Sequence, residues 1–269
     1  MNLIKFVYKT DGIYLISSES NQLNLKVLIK NIFDKFGYEL KKKKKEVSKI
    51  STRKAEGFPE WLRKAEEAGM DVNDYICSKM GSPVPTLEMF VFPYLKGIQD
   101  PVFCEIGIGT GRWSRDIAEG LRKNGDWKLY LIDHSPWIIN FLLNYFVKEK
   151  NIIPLLNDGL TLPIKENISV DIAFSNGTFI EFDLQTIYSF SKEFKRVLKK
   201  NGYAIFNYID IDSEVGYKHM TGQSEILNSC FTYHNASTIE RIFTDAGFEL
   251  IVRQVLGNST YVVFRKIVH

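Results

Sequence analysis

The segment Glu105-Ile-Gly107-Ile-Gly109-Thr110-Gly111-Arg-Trp holds the residue types in this chain best suited to chemistry. Glycines let the backbone turn sharply and let a ligand approach without Cβ atoms in the way. A helix that follows such a turn offers unpaired N–H groups and the positive end of its dipole. A dinucleotide site asks for G-x-G-x-x-G, with a pyrophosphate on that helix end. Here the spacing is G-x-G-x-G with an acid two residues before the first glycine. Such an acid repels a pyrophosphate but suits a ligand bearing ammonium and sulfonium charges. The plain alternative is a glycine turn with a structural glutamate.

Further along, Asp133 closes an apolar run where open α/β sheets place a carboxylate on ribose hydroxyls. Strand-ending aspartates also cap helices, but Ser135 is the better cap here, which frees Asp133. His134 beside it reads as lining the same ligand. Asp158, in Leu156-Asn-Asp-Gly159, is placed either to accept from an adenine amino group or to hold a turn. The candidates for a general base are Glu181 and His234, with His219 and His134 behind them. His234 enters a helix near the carboxyl edge of the predicted sheet; a capping or structural histidine is the equal alternative.

The elements that must position these residues follow a regular order. Strands are predicted near 102–106, 127–133, 152–156, 170–175 and 202–209, with helices near 112–124, 135–149, 184–199 and 235–246. That alternation predicts a doubly wound, mostly parallel α/β sheet. The last two strands, 248–254 and 260–265, are joined by Gly257-Asn-Ser, too short for a crossover helix, so they must form an antiparallel hairpin. Upstream, residues 58–98 read as helical, with breaks at Gly69 and Gly81-Ser-Pro-Val-Pro85. Phe58-Pro opens one helix and Thr86 caps another. A helical segment in that position either covers the ligand pocket or simply packs. Three regions result: an amphipathic, basic extension at 1–57, a helical cap at 58–98, and a catalytic domain at 99–269.

These residues together resemble the class I S-adenosylmethionine-dependent methyltransferases over residues 100 to 266. The resemblance implies a Rossmann-like seven-stranded, mostly parallel sheet with an antiparallel final strand, preceded by a helical N-terminal extension. It further implies that Glu105, Gly107, Gly109, Thr110 and Gly111 meet the methionine part of the cofactor. Asp133 and His134 then meet the ribose side, and Asp158 the adenine edge. Val170-Asp-Ile-Ala-Phe-Ser-Asn-Gly177 matches the family's fourth strand, which brings Asn176 beside the reacting methyl. Arg196-Val-Leu-Lys-Lys-Asn-Gly-Tyr203 matches its helix, turn and fifth strand. Within the family the chain is most similar to bacterial sugar and small-molecule O-methyltransferases. Many of these carry a phenylalanine-valine-histidine stretch where this chain has Phe179-Ile-Glu181, so Glu181 replaces a frequent histidine. The segment 36–41 resembles N-terminal segments of enzymes of surface-polysaccharide pathways.

Composition bounds the rest. A length of 269 residues, 45% hydrophobic and 25% charged, is ordinary for a folded protein. The net charge of +3 gives no field that marks a nucleic-acid binder. Cys77, Cys104 and Cys230 are too scattered for a disulfide frame or a zinc site, and no Asp/Glu/His cluster suggests a metal. Without a signal peptide or a spanning apolar run, the expected location is the cytoplasm. Residues 22–45 combine an apolar stripe from Leu25 to Phe36 with five lysines, Lys41 to Lys45. They are either a docked helix with a solvated tail or a peripheral contact with an anionic membrane surface. The expectation is O-methylation of a hydroxyl on a sugar, as in a surface glycan or its precursor, or on another small metabolite. A nicotinamide-dependent oxidoreductase and a non-catalytic binding module on the same fold are the alternatives.

Overall fold

The computed structural model describes residues 5–9, 12–16, 49–222 and 230–267. The chain divides into two compact units, Met1–Val47 and Ser48–His269. In the first, β1 (Lys5–Lys9) and β2 (Gly12–Ile16) pair antiparallel, from Lys5 opposite Ile16 to Lys9 opposite Gly12. The stripe from Leu25 to Phe36 and Lys41 to Lys45 lie outside the described residues.

The second unit opens with three helices, α1 (Lys49–Glu67), α2 (Val72–Met80) and α3 (Val84–Phe90). Two details differ from the sequence expectation. The first helix does not open at Phe58 but runs through Pro59, which gives up one ladder hydrogen bond inside it. Nor does Thr86 cap the third. That helix starts at Val84 behind Pro83, because proline's fixed φ and missing N–H suit a first turn. Asp71 caps α2, its carboxylate accepting from the amides of Asn73 and Asp74.

The alternating part follows as β3 (Val102–Ile106), α4 (Arg112–Leu121), β4 (Lys128–Asp133), α5 (Pro136–Tyr145), β5 (Ile152–Leu156), β6 (Val170–Ser175), α6 (Leu184–Val197) and β7 (Leu198–Tyr208). It ends with α7 (Glu214–Thr221), α8 (Ala236–Asp245), β8 (Phe248–Leu256) and β9 (Ser259–Lys266). One seven-stranded sheet runs in the order β5-β4-β3-β6-β7-β9-β8. β9 inserts antiparallel between β7 and β8, as the short Gly257-Asn258 turn requires, and the pairs from β5 across to β7 are parallel.

Strand alternation explains why both faces are buried. Phe103, Leu129, Leu131, Ile172, Phe174 and Val263 face one core together with Leu87, Phe90, Ile117 and Leu142. Cys104, Ile106, Ile132, Ala173, Phe206 and Phe264 face the other, with Phe190, Phe194, Ile239 and Phe243 from α6 and α8. Phe179, Phe206 and Phe243 stack within that second core at centroid separations of 4.3–5.0 Å. Two dense layers therefore hold the carboxyl ends of β3, β4 and β6 rigidly relative to one another.

Candidate functional site

The strand order reverses at β3, with β4 on one side and β6 on the other. In an open α/β sheet this switch point leaves a crevice beyond the carboxyl ends of the strands, where ligands bind. Three short segments meet there: 107–111 after β3, 133–135 at the end of β4, and 176–178 after β6. The glycines are required by geometry. Gly107 has φ of 74°, and a Cβ on it would lie 1.9 Å from Thr178 Oγ1. Gly109 has φ of 61°, and a Cβ there would press at 3.1 Å on the Phe58 ring. Any side chain at these two positions would fill the cradle and force the left-handed backbone into strain.

The cap helices buttress this turn. Asn73 on α2 is fully buried, and its Nδ2 donates to Thr110 O at 3.0 Å while Thr110 Oγ1 donates back to Asn73 Oδ1 at 2.6 Å. Asp71 Oδ2 accepts from the Tyr145 hydroxyl at 2.9 Å, and Asp74 accepts from Arg115 Nη1 at 2.7 Å. These bonds tie α2 to α4 and α5, and they enclose a cavity of about 420 Å³. That volume is in the range of small-molecule sites. Its floor is Gly107, Gly109, Thr110, Asp133, His134, Asn176 and Glu181. Its opposite wall is Phe58, Trp61, Ile76 and Met80 from α1 and α2, and Arg112 and Trp113 stand at the start of α4.

Asp133 is buried, and its Oδ1 accepts from the Ser135 amide at 2.9 Å. Burial raises its carboxyl above the ordinary range, opposed by the Ser135 amide, by His134 and by the amides of Ile108 and Gly109. Ser135 caps α5 through its own side chain, as expected, so the Asp133 carboxylate is left to serve the cavity. At the other end, Asn176 Oδ1 accepts from the Tyr261 hydroxyl, and the Tyr261 ring stacks on Phe90 at 4.7 Å. Gly177 N–H donates to Asn207 Oδ1 at 2.8 Å, and Asn207 Nδ2 donates to Ser259 Oγ. The turn after β6 is therefore set by β7 and β9. Glu181 closes a single 3₁₀ turn, Phe179–Glu181, and lines the same end.

Several residues singled out from sequence do not line the cavity. Glu105 is buried beneath the glycine turn, where it accepts from Ser114 Oγ at 2.6 Å. Burial pushes its carboxyl up to about 8, opposed by that hydrogen bond. Gly111 is the left-handed N-cap of α4 and packs against Phe146 instead. Asp158 is exposed, and its Oδ1 takes the amides of Leu160 and Thr161 and the Thr161 hydroxyl, so it holds its own turn. His234, for which the sequence offered a base and a structural role equally, is placed as a structural residue. Its backbone bridges Asp210 and its Nε2 is spent on Phe182 O at 2.8 Å and Thr232 Oγ1 at 3.0 Å. Burial lowers its proton affinity. It braces the segment carrying Glu181 and stands outside the cavity lining, as does His219.

Among the described residues no group of three His, Cys, Asp or Glu could hold a metal ion, and no helix is long and apolar enough to cross a membrane. The sequence reading missed Phe58, Trp61, Ile76 and Met80 as wall residues, and Arg112 and Trp113 beside the glycine turn. The signal for the first four was present in the helical segment before β3, but not its direction of packing.

Residues 103–202 match the family described as a methyltransferase domain, a span running from β3 into β7 and including the glycine turn, Asp133, Asn176 and Glu181. No curated relative matches the chain. Among solved structures, a protein of Pyrococcus horikoshii superposes with a TM-score of 0.56 at 16% identity, over 72% of this chain and 91% of that one. A SAM-dependent methyltransferase of Methanosarcina mazei gives 0.53 at 15% identity, over 69% and 98%. One from Aquifex aeolicus gives 0.51 at 20%, over 71% and 96%. At these identities the likeness establishes the fold.

Proposed function

We propose that this methyltransferase, whose methyl donor is S-adenosylmethionine, transfers its methyl group to a hydroxyl of a small molecule, with Glu181 as the general base. The observation that carries this reading is a carboxylate, Glu181, lining the same cavity as the glycine turn, after the β6 segment that Gly107 touches through Thr178.

The residues present suit the donor. Gly107 and Gly109 let the turn's backbone line the cavity in a left-handed conformation that a side chain would strain, and Asp133 offers a buried carboxylate to ribose hydroxyls. Arg112, at the exit of the turn, suits the donor's carboxylate. The sulfonium supplies an already activated methyl, so the chain's task is placement and electrostatics. A hydroxyl must also lose its proton, and a carboxylate within reach accepts it. A sugar of a surface glycan or its precursor is one such hydroxyl, and it is the acceptor suggested by the family resemblance. A peripheral contact of residues 22–45 with the inner membrane face belongs to the same proposal, as does the division into extension, cap and catalytic domain.

Two measurements test the reading. Asp133→Ala is expected to weaken S-adenosylhomocysteine binding by roughly 10- to 150-fold, equivalent to about 1.5–3 kcal/mol for hydrogen bonds to a charged group. Calorimetric titration of the folded variant checks it, and parental affinity would move the ribose elsewhere. Incubating the enzyme with methyl-labelled S-adenosylmethionine and a metabolite extract is expected to label a small molecule on oxygen. Label found only on nitrogen, sulfur or carbon, read by mass spectrometry and NMR, rejects the hydroxyl acceptor.

A further inference from the structure

Two consecutive residues after β6 are held from the hairpin end of the sheet. Asn207 on β7 and Tyr261 on β9 are cross-strand partners, so their side chains leave the same face. Asn207 Oδ1 accepts from Gly177 N–H at 2.8 Å, and its Nδ2 donates to Ser259 Oγ at 2.9 Å. The Tyr261 hydroxyl donates to Asn176 Oδ1. Packing fixes the direction of that bond. The Tyr261 ring is 5% exposed and stacks on the buried Phe90 of α3, with 4.7 Å between centroids and 8° between planes. Burial, opposed by Arg112, pushes the hydroxyl up to about 12, so it stays protonated and able to donate.

This bond decides which end of an amide a ligand meets. The oxygen and nitrogen of an asparagine side chain are nearly equal in size, so only their partners tell the two orientations apart. Asn176 lines the cavity, and Tyr261 belongs to the core behind it. With Oδ1 turned to the phenol, the hydrogens on Nδ2 are the end left for the cavity. Turning the amide over would bring Nδ2 to the phenol oxygen. The phenolic proton would then lose the acceptor it has among the described residues, which favours the observed orientation by roughly ten-fold or more. We infer that Tyr261 is a positioning residue for methyl transfer, holding the Asn176 amide with an N–H, and not its oxygen, toward the bound ligands. The inference rests on transfer in this cavity and does not depend on which atom receives the methyl group.

A fixed N–H at this place gives direction. A ligand oxygen or nitrogen that takes the N–H on a lone pair is held at one angle to the methyl donor. Orientation of that kind is a large part of what an enzyme contributes when the methyl is already activated. An amide free to turn would present its oxygen for part of the time and repel the same lone pair. Tyr261 does not line the cavity, so its effect passes through Asn176.

The test uses the full chain with methyl-labelled S-adenosylmethionine and a fixed amount of metabolite extract, and counts label transferred to any atom. Tyr261→Phe keeps the ring on Phe90 and removes only the hydroxyl. At saturating S-adenosylmethionine it is expected to transfer label about ten-fold more slowly than the parent. The half-saturating S-adenosylmethionine concentration and the S-adenosylhomocysteine affinity are expected to be unchanged. Asn176→Ala should be slow as well. So should Asn176→Asp, whose carboxylate still accepts from Tyr261 but has no N–H to give. Adding Tyr261→Phe to Asn176→Ala should cost nothing further, because the two residues act as one unit. A full ten-fold loss in that background means that Tyr261 acts through packing and overturns the inference. A parental rate in Tyr261→Phe or Asn176→Asp overturns it too, as does a parent that transfers no label. With the expected pattern of rates, label on nitrogen alone rejects the hydroxyl acceptor and still supports the positioning role.

Discussion

The Glu181→Gln enzyme is expected to transfer methyl groups about 10²–10⁴-fold more slowly than the parent, the usual contribution of a general base. Its affinity for S-adenosylhomocysteine is expected to be unchanged. The amide keeps the size and hydrogen-bonding reach of the carboxylate but cannot take up a proton. The surrounding backbone is well secured, so the loss would be chemical and not structural. Thr232 N–H donates to Ile180 O at 2.7 Å, Thr232 Oγ1 donates to Phe182 O at 2.8 Å, and the fully buried Phe179 anchors the turn. Single-turnover rates are the decisive measurement. Equal rates would remove Glu181 from the chemistry and leave proximity as the enzyme's whole contribution.

The parts of this site that could be read from sequence are those dictated by backbone geometry. Gly107 and Gly109 announce a left-handed turn, and the turn is there because Thr178 and Phe58 leave no space for a side chain. Asp133 is recognisable because Ser135 follows it as a cap, and the short Gly257-Asn258 turn dictates the direction of β9. The strand series is equally legible, since alternating apolar residues must bury both faces of one sheet.

What escaped the sequence reading depends on contacts between residues far apart in the chain. Asn73 lies 37 positions from Thr110, and nothing in Val72-Asn-Asp-Tyr marks it as the brace of the glycine turn. Tyr261 and Asn176 are 85 positions apart, and only the insertion of β9 beside β7 brings them together. His234 is a polar residue at the correct edge of the sheet, yet its ring faces Phe182 and Thr232. Position along an edge is a property of topology, whereas ring direction is decided by the neighbours it must satisfy. For Asp158 the sequence left two roles open, and its surroundings are local: in Asn-Asp-Gly-Leu-Thr the amides of Leu160 and Thr161, two and three residues on, donate to its Oδ1.

Glu105 also leads to a stability prediction with a definite sign. Its carboxyl is raised from 4.5 to about 8, chiefly by burial, with the Ser114 hydroxyl opposing. Between those two values the folded chain holds a proton that the unfolded chain has released. Folding stability must therefore fall as pH rises through this window, with a slope of up to about 1.4 kcal/mol per pH unit. Above about pH 8 both states are ionised, and the full penalty for the buried charge, on the order of 5 kcal/mol, is in force. Asp133, also raised by burial, contributes in the same direction. Glu105→Gln removes the ionisation while keeping an oxygen for Ser114, so its stability should depend much less on pH and exceed the parent's at pH 8.5. Urea unfolding at pH 5.5, 7 and 8.5 checks this, since the midpoint tracks stability when the slope is constant. If parent and variant lose stability in parallel between pH 5.5 and 8.5, the Glu105 carboxyl is already ionised in the folded protein. The glycine turn would then rest on a buried negative charge, available to the cationic groups of the methyl donor without release of a proton.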